Sequence, residues 1–204
     1  MIRFFKFLFK GILRLLSPSI RLYQEYFNFI FPNLNCILTS RIKFNGNKPK
    51  FIQATLFNGD GQVEIGSNCS FGYKMGGFHK GGSIEIQARY ANSNIKIGNN
   101  IATNNNIFIC AANYIEIGND TLIGQNVTLM DHEAHGIQPE DRRKLGAIGT
   151  IIIGKNCWIG NNTTILKNSK IGNNSIVAVG AVVSGVFPEN VIIGGVPAKI
   201  IKNL

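Results

Sequence analysis

Residues 153–184 read IGKNCW, IGNNTT, ILKNSK, IGNNSI, VAVGAV, VS when cut every six residues, each unit opening on an aliphatic residue: Ile153, Ile159, Ile165, Ile171, Val177 and Val183. A period of six is too short for a helical hairpin and suits one short strand followed by one tight turn. The first residue of each unit is expected to point inward. Gly and Asn accept left-handed turn conformations at the corners, and the small fifth residue fits where the chain is crowded. Three such units close a triangular coil, and coils stack at the strand spacing of about 4.8 Å.

The same pattern extends toward the N-terminus through Ile65 (IGSNCS), Phe71, Ile97 (IGNNIA), Ile117 (IGNDTL) and Ile123 (IGQNVT). Register is kept at positions 97, 103 and 109 and then slips by two residues before Ile117. Cys69 and Cys157 occupy the small fifth position and read as buried structural residues. With Cys36 and Cys110 they stand singly, without a CxxC pair, so neither a zinc site nor a redox motif is indicated. Composition agrees with an all-β chain of many turns. Ile, Asn and Gly supply 31, 25 and 23 of the 204 residues, and charged residues only 16%. So much Ile excludes a disordered chain, and so much Asn and Gly disfavours helical repeats.

Charge divides the chain into two parts. Residues 1–50 hold nine Lys or Arg against Glu25 alone, +8 of the total +10, which leaves a nearly neutral body over 51–204 and argues against nucleic-acid binding by that body. The opening MIRFFKFLFKGILRLL spaces Arg3, Lys6, Lys10 and Arg14 by three and four, with Phe4, Phe5, Leu8, Ile12 and Leu15 largely on the rest of a helical surface. Uncharged stretches fall short of a membrane span, and Lys6 and Lys10 interrupt any signal-like apolar region. A basic amphipathic helix at an anionic membrane surface and an arm packed on the body are the two readings, the first preferred. Residues 17–40 stay aromatic and contain Pro18 and Pro32; a second short helix and an extended lead-in are expected there. The protein is placed in the cytoplasm, peripheral to the inner face of the membrane.

The hexapeptide units and the ending WIGNNTTILKNSKIGNNSIVAVGAVVSGVFPENVIIGGVPAKIIK resemble the left-handed parallel β-helix acyltransferases over roughly residues 60–204. The similarity is strongest to the branch of maltose, galactoside and surface-polysaccharide O-acetyltransferases. That resemblance implies a left-handed coil, a homotrimer with sites between subunits, acetyl-CoA as co-substrate, no metal, and a sugar hydroxyl as acceptor. An amino-sugar N-acyltransferase and a non-catalytic structural β-helix are the competing functions. A carbonic anhydrase of this fold needs three convergent histidines, which His79, His132 and His135 do not supply at the usual spacing.

The repeat is interrupted by MDHEAHGIQPEDRRKLGAIGTI between Leu129 and Ile153. A loop thrown from a rigid solenoid is where catalytic groups are expected, and a base working near pH 7 is most often His. His135 lies 23 residues before Trp158 and His132 lies 26 before it; the family spacing favours His135, although Gly136 stands where the family has proline. Asp131 or Glu133 is placed to orient an imidazole. The resemblance assigns Trp158 to the acyl and pantetheine site and the Asn161 backbone N–H to the thioester oxygen. It assigns coenzyme contacts to Gly160, Ala178, Ser184, Lys199 and Lys202, and an acceptor contact to Asn106. Gly185 stands where the family often carries a cation, which shifts phosphate binding onto the two terminal lysines. The family's acidic acceptor contact aligns with Ala111.

Overall fold

The computed structural model of the chain describes residues 22–23 and 26–204; the helix expected over residues 1–16 lies outside them. Three parallel sheets form the three faces of a β-helix, each strand pairing with the strand one full coil away. The first face stacks Ile42–Phe44, Gln62–Ile65, Asn94–Ile97, Tyr114–Ile117, Thr150–Ile153, Ser169–Ile171 and Val186–Phe187. The second runs from Lys50–Phe51 through Ala102–Thr103, Leu122–Ile123, Trp158–Ile159 and Ile176–Val177 to Val191–Gly195. The third carries Thr55–Asn58, Ile84–Ala88, Phe108–Ala111, Thr128–Met130, Thr164–Leu166 and Val182–Val183. The coil stack therefore begins at Ile42, and residues 42–50 of the basic segment form its first turn.

The sixfold aliphatics fill the interior. Ile153, Ile159, Ile165, Ile171, Val177 and Val183 are all buried, and in-register pairing places like on like, Ile117 beside Ile153 and Ile153 beside Ile171. The two-residue slip is real: Ile97 pairs with Ile117, 20 residues on, whereas Ile153 pairs with Ile171, 18 on.

Corner chemistry separates the roles of Gly and Asn. The left-handed conformation belongs to the fourth residue of the unit, and Asn68, Asn100, Asp120, Asn156, Asn174 and Asn190 all have φ between 54° and 60° or slightly above. Their side chains bond up the stack, as in Asn156 to Asn174 and Asn174 to Asn190, both 3.0 Å. Glycine at the second position answers a different need. A Cβ on Gly154 would lie 2.7 Å from the backbone N of Asn173 in the next coil. Coils stacked this closely leave no room for it.

Both ends are closed. Phe29, Asn33 and Cys36, spaced by four and three, face the first coil from a run of short helical turns that ends in Leu34–Leu38. The Phe29 ring stacks on Phe51 at 4.1 Å, and the Asn33 amide donates to the Thr55 carbonyl while accepting from the Phe57 N–H. A side chain thus satisfies the exposed edge of the third face. At the other end Ala198–Asn203 folds back antiparallel on Val191–Gly195.

Burial pushes the thiols of Cys36, Cys69, Cys110 and Cys157 above their ordinary range, as small core residues require. An Asp at Ile159 would place an unpaired charge in this interior at a cost of several kcal/mol. The Ile159→Asp variant is expected to be insoluble or to melt well below the parent; an unchanged thermal midpoint would show that the side chain does not face inward.

Candidate active site

The 131–149 loop leaves the corner after Thr128–Met130 and returns at Thr150, folded as a short antiparallel ladder. His132 bridges to Ile148, Glu133 exchanges backbone bonds with Ala147 and Gly146, and Gly136 N–H donates to the Lys144 carbonyl. A turn of 3-10 helix, Pro139–Asp141, packs over the tip. Here lies the reason for Gly136: a Cβ there would sit 2.5 Å from Asp141 Cβ.

The two histidines occupy opposite environments. His132 is 4% exposed, its Nδ1 2.9 Å from Asp131 Oδ1 and its Nε2 3.1 Å from Arg89 Nη1. A carboxylate only accepts and a guanidinium only donates, so the neutral ring carries its proton on Nδ1 and spends its Nε2 lone pair on Arg89. Asp131 is itself saturated, accepting from the backbone N–H groups of Ala112, Asn113 and Tyr114 at 2.7–2.9 Å. This buried group pins the root of the loop where the register slips.

His135 is exposed, and its Nδ1 lies 2.7 Å from the Arg142 carbonyl oxygen. A carbonyl can only accept, so Nδ1 holds the proton and Nε2 presents a lone pair outward. The orienting group is therefore main chain, not Asp131 or Glu133. Glu133 points elsewhere, taking the Ala147 N–H and pairing with Lys167 at 3.2 Å. Those two partners, the N–H first, hold its carboxyl below the ordinary range.

Trp158 projects outward from the second face, 55% exposed, in the row Leu122, Trp158, Ile176, Ile192, Lys202. The neighbouring corner holds an open donor. At several corners the N–H of the third residue of a unit is taken by an Asn side chain of the next coil, as Gln125 by Asn161 and Lys155 by Asn173, whereas at Asn119, Asn161 and Asn173 it is left open. Above Asn161 the next coil supplies Val179, and the Asn161 N–H has no acceptor among the described residues. An exposed, unpaired N–H beside an exposed indole is suited to a developing oxyanion.

Residues 150–185 match the model of the bacterial transferase hexapeptide (six repeats) family. A lipopolysaccharide biosynthesis O-acetyl transferase of Escherichia coli, WbbJ (its function marked putative), is 33% identical over 153 residues, covering 70% of this chain and 72% of that one. The galactoside O-acetyltransferase of the same organism is 37% identical over 116 residues, 55% of each chain. The chain belongs to the hexapeptide-repeat acyltransferases. A solved galactoside acetyltransferase in complex with coenzyme A shares the fold at a TM-score of 0.52 and 22% identity, over 91% of this chain and 81% of that one. The architecture is thus the left-handed parallel β-helix of this family, and the chain is an acyltransferase.

Within the family frame the remaining expected contacts scatter. Gly160 donates its N–H to the Val177 carbonyl, and a Cβ there would lie 2.7 Å from Val179 N, so packing alone explains this glycine. The Ala178 N–H is spent on the Ile193 carbonyl. Ser184 is exposed at the corner after the third face, and Lys199 and Lys202 are exposed on the closing strand. Asn106 is a ladder residue with φ 61°, donating its amide to Asn126 at 2.7 Å, and it also lines a cleft on the third face. Within one chain His135 bonds neither Trp158 nor Asn161. Among the described residues no group of His, Cys, Asp and Glu is placed to hold a metal ion. Sequence reasoning missed two participants, the Arg142 carbonyl and Arg89. Main-chain acceptors leave no composition signal, and Arg89 lies 43 residues from His132.

The lowered Glu133 carboxyl has a stability consequence. Its contribution is complete above the ordinary value of 4.5 and is lost as pH falls through the depressed folded-state value. Glu133→Gln should therefore loosen the loop at pH 7, with faster proteolytic cleavage within 131–149 and little change in thermal midpoint, as acidification does for the parent. Equal cleavage rates at pH 7 would show that this tether does not hold the loop.

Proposed function

We propose that the protein transfers the acetyl group of acetyl-CoA to a sugar hydroxyl of a bacterial surface polysaccharide or its lipid-linked precursor. The observation that carries the reading is His135, whose Nδ1–H is fixed by the Arg142 carbonyl so that Nε2 faces solvent as a base. The names of the relatives, one in lipopolysaccharide biosynthesis and one acting on galactosides, support a sugar acceptor.

In this mechanism His135 Nε2 takes the proton of the acceptor hydroxyl as the oxygen bonds to the thioester carbonyl carbon. The Asn161 N–H donates to the resulting oxyanion. Collapse breaks the carbon–sulfur bond, and the imidazolium returns its proton to the departing thiolate, giving an acetyl ester and free thiol. The raised thiols of all four cysteines argue for direct transfer with no acyl-enzyme. Trp158 flanks the acyl group, and the row that leads from it to Lys202 gives the coenzyme a path toward the terminal cations. Ser184 and Lys199 would border that path. A homotrimer would bring a neighbour's Trp158 face to each His135.

The basic arm would hold the enzyme at an anionic membrane surface. No helix among the described residues is long and apolar enough to cross a membrane. Tyr23, Phe27, Phe31, Leu34 and Leu38 recur at spacings of three and four on the side away from the buried Phe29, Asn33 and Cys36, and all five are exposed. Such a stripe suits an interfacial helix whose apolar side enters the headgroup region.

Thiol release from acetyl-CoA in the presence of sugar acceptors is the direct test. His135→Ala is expected to lower turnover by roughly 10²–10⁴ with folding unchanged. If His132→Ala abolishes turnover while His135→Ala retains it, the base is the buried histidine instead. Deleting residues 2–16 should end sedimentation with anionic vesicles while sparing transfer to a small soluble sugar. Full-length protein that ignores such vesicles at low salt would sink the membrane assignment.

A further inference from the structure

The third face carries a cleft of about 410 Å³ bordered by the irregular segment between Phe71 and Ile84 and lined by Ser83, Glu85, Asn106, Phe108, Asn126 and Thr128. Its floor is one outward row of the sheet, in which Glu85 pairs with Phe108 and Phe108 with Thr128. Since Ile84 and Ile86 are buried, the alternation of the strand turns Glu85 outward, into the cleft.

The polar atoms here share a bias. Glu85 Oε1, Asn106 Oδ1, Ser83 Oγ and Thr128 Oγ1 have no hydrogen-bond partner among the described residues, whereas the Asn106 and Asn126 amide nitrogens are spent along the ladder on Asn126 and Asn162. What the cleft offers is one carboxylate, one amide oxygen and two hydroxyls, with an aromatic ring among them and no Lys or Arg. Such a surface wants a ligand that donates hydrogen bonds and repels one that carries negative charge.

Glu85 is also held. Gln87 Nε2 donates to Glu85 Oε2 at 3.2 Å, Arg89 Nη2 donates to Gln87 Oε1 at 3.3 Å, and Arg89 Nη1 reaches His132 Nε2 at the root of the 131–149 loop. The carboxylate is thus oriented by a continuous chain of side chains that ends beside the loop bearing His135. Preorganisation of this kind is what a specificity-determining group needs, because little ordering remains to be done on binding.

The geometry points to this cleft as the acceptor-side subsite for a neutral or amino sugar ring, with Glu85 accepting from the ring hydroxyls and discriminating against acidic sugars. The inference rests on the sugar O-acetyltransferase reading and adds the charge class of the acceptor. It supplies a carboxylate from a strand, at a position different from Ala111, where the resembling enzymes carry their acid.

The test measures equilibrium binding of methyl hexopyranosides and the matching methyl hexuronides to the full chain, alongside thiol release from acetyl-CoA with the same sugars. The parent should bind and use the neutral sugar at least about tenfold better than its uronide. Glu85→Ala should raise the neutral sugar's Kd and KM roughly ten- to a hundredfold, the value of hydrogen bonds to a charged group, with the KM for acetyl-CoA unmoved. Glu85→Gln, which keeps the size and one acceptor oxygen, should narrow the gap between neutral and acidic sugars. If turnover depends on His135 while both Glu85 variants bind and discriminate like the parent, the cleft is not the acceptor subsite and the transferase reading survives. If sugars bind through Glu85 but no thiol is released with any of them, Glu85 marks a sugar-binding site and the proposed transfer to sugar hydroxyls falls, and with it the acceptor role of the cleft. A parent that prefers the uronide overturns the inference outright.

Discussion

The spacing between successive coils, set by backbone hydrogen bonding between parallel strands at about 4.8 Å, governs nearly everything else in this molecule. It removes space for a Cβ at the second position of each unit, as the contact that Gly154 would make with Asn173 shows. It brings equivalent corner residues within side-chain reach, so that asparagines both adopt the left-handed turn and satisfy one another up the stack. It also forbids insertions inside a coil. Extra residues are confined to corners, which is why both irregular segments, between Phe71 and Ile84 and between Met130 and Thr150, leave the sheets intact on either side.

A lattice this repetitive makes its defects informative. Among the described residues, the capping of corner N–H groups by asparagine side chains is missing at Asn119, Asn161 and Asn173, where the next coil offers Lys155, Val179 and Glu189, and of these open donors Asn161 lies one corner from the chain's only tryptophan. Gly160, beside it, obeys the lattice rule and needs no other explanation. One signature, IGNN, thus contains a residue fixed by packing and a residue released from it, and only the pairing partners of the next coil tell them apart.

That distinction marks what the sequence could and could not convey. The period, the inward aliphatics, the two-residue slip and the buried Cys69 and Cys157 follow from local spacing, because each coil repeats the constraints of the last. The loop was visible as an interruption. Its internal wiring was not: Arg142 offers a carbonyl, which every residue has, and Arg89 meets His132 only because two coils place strands that are far apart in sequence side by side. Glu85 was likewise silent, one acid in a strand of alternating residues, until the stacking set it beside Phe108 and Thr128. Where a short helix and an extended lead-in are expected over 17–40, helical turns run on through Pro32 to Leu38, since proline is tolerated in the first turn of a helical segment.

Two histidines three residues apart end with different chemistry because their partners differ. Both rings carry the proton on Nδ1. For His132 the acceptor is the Asp131 carboxylate and the Nε2 lone pair is consumed by Arg89, in a site closed to solvent. For His135 the acceptor is a neutral carbonyl and Nε2 is left to solvent. An Asp–His pair is the arrangement that invites a catalytic reading, but a base must have somewhere to put a new proton, and the Nε2 of His132 already receives one from the guanidinium. The buried pair serves instead as the fixed end of a lever. It anchors the loop through three backbone N–H bonds to Asp131 and orients Arg89, Gln87 and Glu85 on the adjoining face. The exposed ring can then be set by a single main-chain contact, because the ladder beneath it is already rigid.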